Sequence, residues 1–343
     1  MAQLVLADGA LPVLRAASLE ADVVALRRIC HEIGFLYLEL DAEDWDCCCA
    51  AAAASRRFFA RDAATKAEIG YERSPAFRGY MRLGVENTAG VVDRREQVEF
   101  GREDGVAVEG PARRLLGPNQ WPDDAFEGAA ARWLEVMARA SAALTSALSL
   151  ALGLDRCALH QHILGPKPHW QAKVARYPAG AGQGVGAHTD SGWLTLLWQD
   201  GPGLEAMIGG RWTPVPPRDG CVVVNLGEML QLASGGYFLA TPHRVASPPR
   251  DRLSLPYFCN PSLDAVVAAA TDAGDLDWAR PRPDDVAATD SHGAGRNKLH
   301  DAYGINAFKS LARSHPAVFA RHHPDLVVLP DGTVVEKCWG TLG

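Results

Sequence analysis

Between residues 169 and 261 short apolar runs are cut by Gly, Pro and Asp at intervals of about ten residues, too closely spaced for helices to pack between them. HWQAKVARYP, GVGAHTDSG, WLTLLWQD, GLEAMI, RWTPV, CVVVNLG, FLATPHRV and RLSLPYF are eight candidate strands. Eight short, evenly spaced strands predict a double-stranded β-helix, that is, a cupin-like jelly roll of two facing sheets. The flanks carry a different period. Leu19, Val23, Leu26, Ile29 and Ile33 recur at helical spacing from Ser18 to a stop at Gly34, and a second helix is expected over 43–60. A third runs from the capping pair Asp124 and Glu127 to Gly153. LPVL (11–14), FLYLEL (35–40), FRGYM and REQVEFG read as further strands. The fold class is therefore mainly β with a helical flank (α+β). It divides into an N-terminal flank (1–160), a jelly-roll core (161–265) and a C-terminal part (266–343). In that last part a loop is expected over 281–291, a helix over 296–320 and a hairpin turning at Asp331-Gly332.

Charge and cysteine usage exclude several classes. A formal net charge of -7 without a block of Lys and Arg argues against nucleic acid. The pairs Arg56-Arg57 and Arg94-Arg95 read as solvated faces. No stretch of about 18 apolar residues exists to span a bilayer, and the first residues lack the basic start and apolar core of a secretory signal. No membrane association is expected, and the cytoplasm is the default location. Eight cysteines without regular spacing are not a disulfide frame, and Cys47, Cys48 and Cys49 read as small packing residues of a helix. No feature of the sequence fixes an oligomeric state.

The chemistry concentrates in His188-Thr189-Asp190. On a strand the first and third of these face the same way, so two ligands are presented together. His243, 55 residues on (243 minus 188), lies on another candidate strand that the intervening ones can return beside the first pair. Two imidazoles and one carboxylate on one face of a metal leave three positions open, the arrangement suited to non-haem Fe(II) and O2. Arg252 and Ser254 share a strand face downstream. Arg252 offers a fork for a carboxylate, Ser254 a hydroxyl, and Tyr177 a phenol on the strand entering the His-Thr-Asp segment. A dicarboxylate held there at one end could chelate iron at the other. The remaining histidines, His160-Gln161-His162 and His322-His323, lack a third ligand nearby in sequence, and the glycine-rich run 178–186 lacks the GK[ST] of a phosphate loop.

These segments resemble the 2-oxoglutarate and Fe(II)-dependent oxygenases of the isopenicillin N synthase-like family. The resemblance extends from LPVL through HEIGFLYL, FRGYM, AHTDSGWLTLL, VVNLGEMLQLASGG and TPHRV to RLSLPYF. It implies iron ligands at His188, Asp190 and His243 and a 2-oxoglutarate anchor at Arg252, Ser254 and Tyr177. It also implies an O2-dependent oxidation, hydroxylation first among the outcomes, of a small organic substrate with release of succinate and CO2. Where plant members carry Asn and Asp this chain has Ala175 and Glu228. Phe77 occupies the place of an arginine that helps hold the tripeptide in isopenicillin N synthase, which disfavours penicillin-type ring closure. Two alternatives remain beside this reading: an iron oxidase that works without 2-oxoglutarate, and a non-catalytic jelly-roll protein holding a structural ion. Lys173, Trp193 and Phe258 are candidate pocket walls with core or surface roles as rivals, and Arg78, Tyr80, Arg82 and Glu99 are loosely placed candidates for substrate contact.

Overall fold

The computed structural model describes residues 10–88, 90–104, 110–266, 302–330 and 333–337. The chain opens with strand β1 (Val13–Arg15), helix α1 (Val23–Glu32), strand β2 (Phe35–Glu39), helix α2 (Ala42–Phe59) and the short helix α3 (Ala63–Ala67). Helix α1 begins later than its apolar period suggests, because Ala16–Ser18 form a 3-10 turn first. Gly34 ends it at φ 68, where a Cβ would run into the Leu239 carbonyl oxygen, so the chain reverses there only with glycine. Next come β3 (Gly79–Met81), the small strands β4 (Asn87–Thr88) and β5 (Val91–Val92), β6 (Glu96–Gly101) and the long helix α4 (Asp124–Ala151). The N-cap of α4 is Asp123, whose carboxylate accepts from the Phe126 amide at 2.8 Å, one residue before the expected Asp124.

The eight predicted strands all form: β7 (His169–Tyr177), β8 (Gln183–His188), β9 (Leu194–Gln199), β10 (Leu204–Ile208), β11 (Arg211–Pro214), β12 (Cys221–Leu226), β13 (His243–Ala246) and β14 (Arg252–Asn260). They divide between two sheets. The larger has the order β1-β2-β12-β9-β14-β7-β6-β3 and the smaller β11-β10-β13-β8. The eight pair antiparallel with their neighbours, and among the described strands β1 on β2 is parallel. This is the jelly roll, an open pair of facing sheets, with N-terminal strands widening the larger sheet at both edges. Helix α5 (Glu228–Ala233) fills the β12–β13 connection.

Side-chain alternation separates two cores. Leu36 and Leu38 of β2, Val222 and Val224 of β12, and Leu253 and Leu255 of β14 point toward the helices, where α2 and α4 cover the outer face of the larger sheet. Phe35, Tyr37, Val223, Tyr177, Val185 and Val245 fill the space between the sheets. The expected helix over 296–320 is, where described, two helices: α6 (Tyr303–Ser314) and α7 (Pro316–His322). Pro316 lacks an amide proton and disfavours helical geometry at His315, so the helix stops and restarts. Strands β15 (Leu326–Val328) and β16 (Val334–Glu336) pair as a hairpin. Its Asp331-Gly332 turn and the 281–291 loop lie outside the described residues.

Candidate metal centre and active site

His188 is the last residue of β8 and His243 the first of β13, and the two are direct cross-strand partners, with ring centroids 4.4 Å apart. Asp190 lies in the turn just after β8, past the strand on which it was expected. The turn is held by the Glu228 amide, which donates to the Asp190 carbonyl at 2.8 Å at the start of α5. Asp190 Oδ1 is 3.7 Å from Nε2 of both histidines. The three ligand atoms thus lie close enough together to hold one ion.

Each of these side chains is oriented by a second contact. Nδ1 of His188 bonds the Gly186 carbonyl at 2.8 Å and Nδ1 of His243 the Thr241 carbonyl at 3.1 Å. A ring nitrogen facing a carbonyl must carry the proton, which leaves each Nε2 lone pair free for a metal. Asp190 Oδ2 accepts from Thr195 Oγ1 at 2.5 Å and Asn225 Nδ2 at 2.8 Å, leaving Oδ1 for the ion. Burial, helped by the neighbouring His243, brings the His188 imidazole down to about 4, so it is neutral at physiological pH. Burial alone would raise the Asp190 carboxyl. His243, His188 and the Thr195 and Asn225 hydrogen bonds outweigh it and hold the group below its ordinary range. The backing reaches the helical flank, since Thr241 donates from its hydroxyl to the Ile33 carbonyl at 2.5 Å beside Gly34.

Arg252, Ser254 and Tyr177 also come together. Arg252 and Tyr177 are register partners on β14 and β7, and the guanidinium carbon sits 4.7 Å from the phenol ring centroid. Arg252 is 1% exposed; it donates from Nε to the Gly201 carbonyl and from Nη2 to Gln199 Oε1, while its buried Nη1 has no hydrogen-bond partner. A buried guanidinium nitrogen left without an acceptor is costly, and a carboxylate is the group that fits it. The Tyr177 phenol has burial pushing it up, yet Arg95, Arg252 and a hydrogen bond with Ser254 bring it below its ordinary value.

A cavity of ≈ 220 Å³ adjoins the metal centre, lined by His188 and Asp190 on one side and by α6 on the other. Lys173 and Phe258 line it, whereas Trp193 does not: its ring is fully buried among the helices and donates to Thr145 Oγ1. Of the loosely placed candidates, Glu99 pairs with Lys173 at 2.6 Å. Arg78 is buried under the loops, donating to Asn119 and to the Arg102 and Leu115 carbonyls, and Tyr80 donates to Glu96 and packs on Phe58. Arg82 is exposed. Arg95 corrects the sequence reading of a solvated pair. It turns inward, lines the cavity, pairs with Glu86 and hydrogen-bonds Tyr177, so it links the cavity to the Arg252 cluster. Its neighbour Arg94 is exposed, as read. His160, His322 and His323 each place a ring nitrogen on a backbone carbonyl.

With this geometry in place, comparison with known proteins is decisive. Residues 161–261 match the 2OG-Fe(II) oxygenase superfamily, and residues 11–124 match the N-terminal region described as non-haem dioxygenase in morphine synthesis. A homoarginine-6-hydroxylase of Arabidopsis thaliana is 30% identical over 253 residues, covering 71% of this chain and 70% of the relative. The chain belongs to the 2OG-Fe(II) oxygenase superfamily. A 2-oxoglutarate-dependent dioxygenase, frbJ of Dothideomycetidae sp., is 32% identical over 262 residues and 70% of each chain. This oxygenase also shares its fold with a full-length Neurospora crassa protein crystallised in complex with alpha-KG and thymine: TM-score 0.70, 22% identity, 92% of this chain and 100% of that one. The dioxygenase for auxin oxidation in rice gives 0.62 at 21% identity, covering 89% and 96%. The protein is a 2-oxoglutarate- and Fe(II)-dependent dioxygenase, an oxidoreductase whose cofactor is Fe(II), co-substrate 2-oxoglutarate and oxidant O2. Among the described residues no helix is long and apolar enough to cross a membrane.

Proposed function

We propose that this dioxygenase binds Fe(II) through His188, Asp190 and His243, grips 2-oxoglutarate through Arg252, Ser254 and Tyr177, and hydroxylates a small organic molecule in the cytoplasm. The observation that carries this reading is the pairing of two features: a carbonyl-locked His-Asp-His trio and a buried arginine with one unpartnered nitrogen. When bound, iron and 2-oxoglutarate together supply the oxidising power of O2, one oxygen atom going to succinate with loss of CO2 and the other to the substrate.

The chain's own residues do the rest. The Gly186 and Thr241 carbonyls keep both imidazoles in the ligating tautomer, and Thr195 with Asn225 keeps Asp190 turned toward the ion. Arg252 donates from Nη1 to the far carboxylate of the co-substrate, and Tyr177, lowered by Arg95 and Arg252, donates beside it. His243 is buried and His188 and Asp190 are partly buried, which limits water at the reacting centre. Relatives named as 2-oxoglutarate-dependent favour this over an iron oxidase without 2-oxoglutarate. The test is succinate release and Fe(II) binding in three variants. His188→Ala and His243→Ala are expected to lose iron binding and all turnover. Arg252→Ala is expected to keep iron but need roughly ten- to a hundredfold more 2-oxoglutarate, the worth of a charged hydrogen bond. Unchanged kinetics in all three would refute the assignment.

A further inference from the structure

One wall of the cavity carries buried charges of which the reading above uses only Arg95. Glu86 is ion-paired to Arg95 and lies 3.9 Å from Lys173 Nζ, while Lys173 is 2.6 Å from Glu99 Oε1. Four charges of the lining, Asp93, Arg95, Glu86 and Lys173, therefore alternate in sign, each side chain mostly buried, with Glu99 behind Lys173. His315, 2% exposed, closes the group with Nε2 at 3.8 Å from Glu86 Oε1, and its Nδ1 has no hydrogen-bond partner. Burying four charges is a poor route to stability, because desolvation offsets the Coulomb gain and an apolar wall would hold as well. Set along a cavity that opens on His188 and Asp190, they have a ligand to meet.

The alternation limits what that ligand can be. A lone anion drawn to Lys173 meets Glu99 directly behind it, and a lone cation drawn to Glu86 meets Arg95. A neutral ring would displace water from four charges and return no charge to any of them. A head group with opposite charges on adjacent atoms matches both members at once, and His315 Nδ1 supplies one more hydrogen bond to it. The same lining carries apolar side chains, among them Val185, Pro256, Phe258, Ala307 and Leu311.

We propose that the primary substrate is a free α-amino acid. Its ammonium and carboxylate are held by the Glu86, Lys173 and Arg95 wall with His315, and its side chain runs along Phe258 and Leu311 toward His188 and Asp190. This rests on the oxygenase reading above and adds the class of compound to it.

The experiment uses the whole protein loaded with Fe(II) and 2-oxoglutarate. Calorimetry without O2 measures binding of the protein amino acids, L-homoarginine and thymine, and succinate release is followed in air. The best-binding amino acid is then compared with its methyl ester, which lacks the negative charge, and its N-acetyl form, which lacks the positive one. Each blocked form is expected to bind roughly ten- to a hundredfold more weakly, the worth of one charged hydrogen bond. Lys173→Met leaves Glu99 unpaired and risks misfolding, so the variant of choice is Lys173→Met with Glu99→Gln, which removes both charges together. It is expected to bind the free amino acid more weakly and to narrow its advantage over the methyl ester. The proposal is overturned if no amino acid on the panel binds, if thymine alone binds and stimulates succinate release, or if the esters match the free acids. Those results leave the oxygenase reading standing. That reading fails separately, if 2-oxoglutarate is not turned over to succinate with or without any compound of the panel.

Discussion

At the scale of single residues, the proposed iron site depends on side chains outside the His188, Asp190 and His243 trio. Asn225 and Thr195 together occupy Asp190 Oδ2, so Asn225→Ala frees the carboxylate to rotate away from its ligating pose. We expect iron affinity to fall roughly 10–100-fold in Asn225→Ala, read by metal titration, with the fold intact by circular dichroism. His169 presents the opposite case. Both its ring nitrogens are buried without partners, and burial, with Arg78 and Arg102 nearby, brings its pKa down to about 3. The folded protein keeps His169 neutral while the unfolded chain binds a proton as pH falls below the ordinary 6.5. Stability is therefore full above that value and declines as pH drops toward 3. His169→Leu removes two unpaired polar atoms; its stability at pH 7 should stay within about 1 kcal/mol of the parent and its mild-acid decline should flatten, as chemical denaturation at a series of pH values would reveal.

At the scale of elements, Glu96 ties three of them to β6. Its carboxylate accepts from Lys66 of α3 at 2.7 Å, Tyr80 of β3 at 2.6 Å and Arg176 of β7 at 2.7 Å. Burial pushes the group up, but these three partners outweigh it and hold its pKa below the ordinary 4.5. The stabilisation is present above 4.5 and lost as pH falls through the lowered folded value. Glu96→Gln should cost about 3 kcal/mol at pH 7 and show a weaker acid dependence of the denaturation midpoint. Elements differed in how plainly the sequence announced them. The eight jelly-roll strands were legible because period-two alternation and turn residues agree at every boundary. Helix α5, helix α3 and the β4–β5 pair were not, being too short to show a period. The break at Pro316 is signalled by the proline itself but masked by an apolar period that continues across it. The grouping of His188, Asp190 and His243 was legible from their spacing, although Asp190 lies past the end of β8 rather than on it. The inward turn of Arg95 was hidden because an arginine pair in isolation gives no face, and the contribution of α6 to the cavity because no local pattern ties residues past 300 to strands before 260.

At the scale of the molecule, the jelly roll does not stand alone. β2 covers the edge of β12, β6 covers the edge of β7, and α2 and α4 bury the outer face of the larger sheet. A fragment of residues 161–265 would expose two strand edges and a broad apolar face. We expect it to aggregate or to lack cooperative melting, while the whole chain unfolds in one calorimetric transition. An independently melting fragment would show the core to be self-sufficient.

Tyr303, Leu311 and His315 reach the cavity from a helix that forms no part of either sheet, whereas the two histidines and the aspartate are fixed by β-ladder register and the start of α5. Substitutions along that helix can change which molecules are admitted without disturbing the machinery that handles oxygen. Descendants of such a chain can therefore diverge in diet while inheriting one engine.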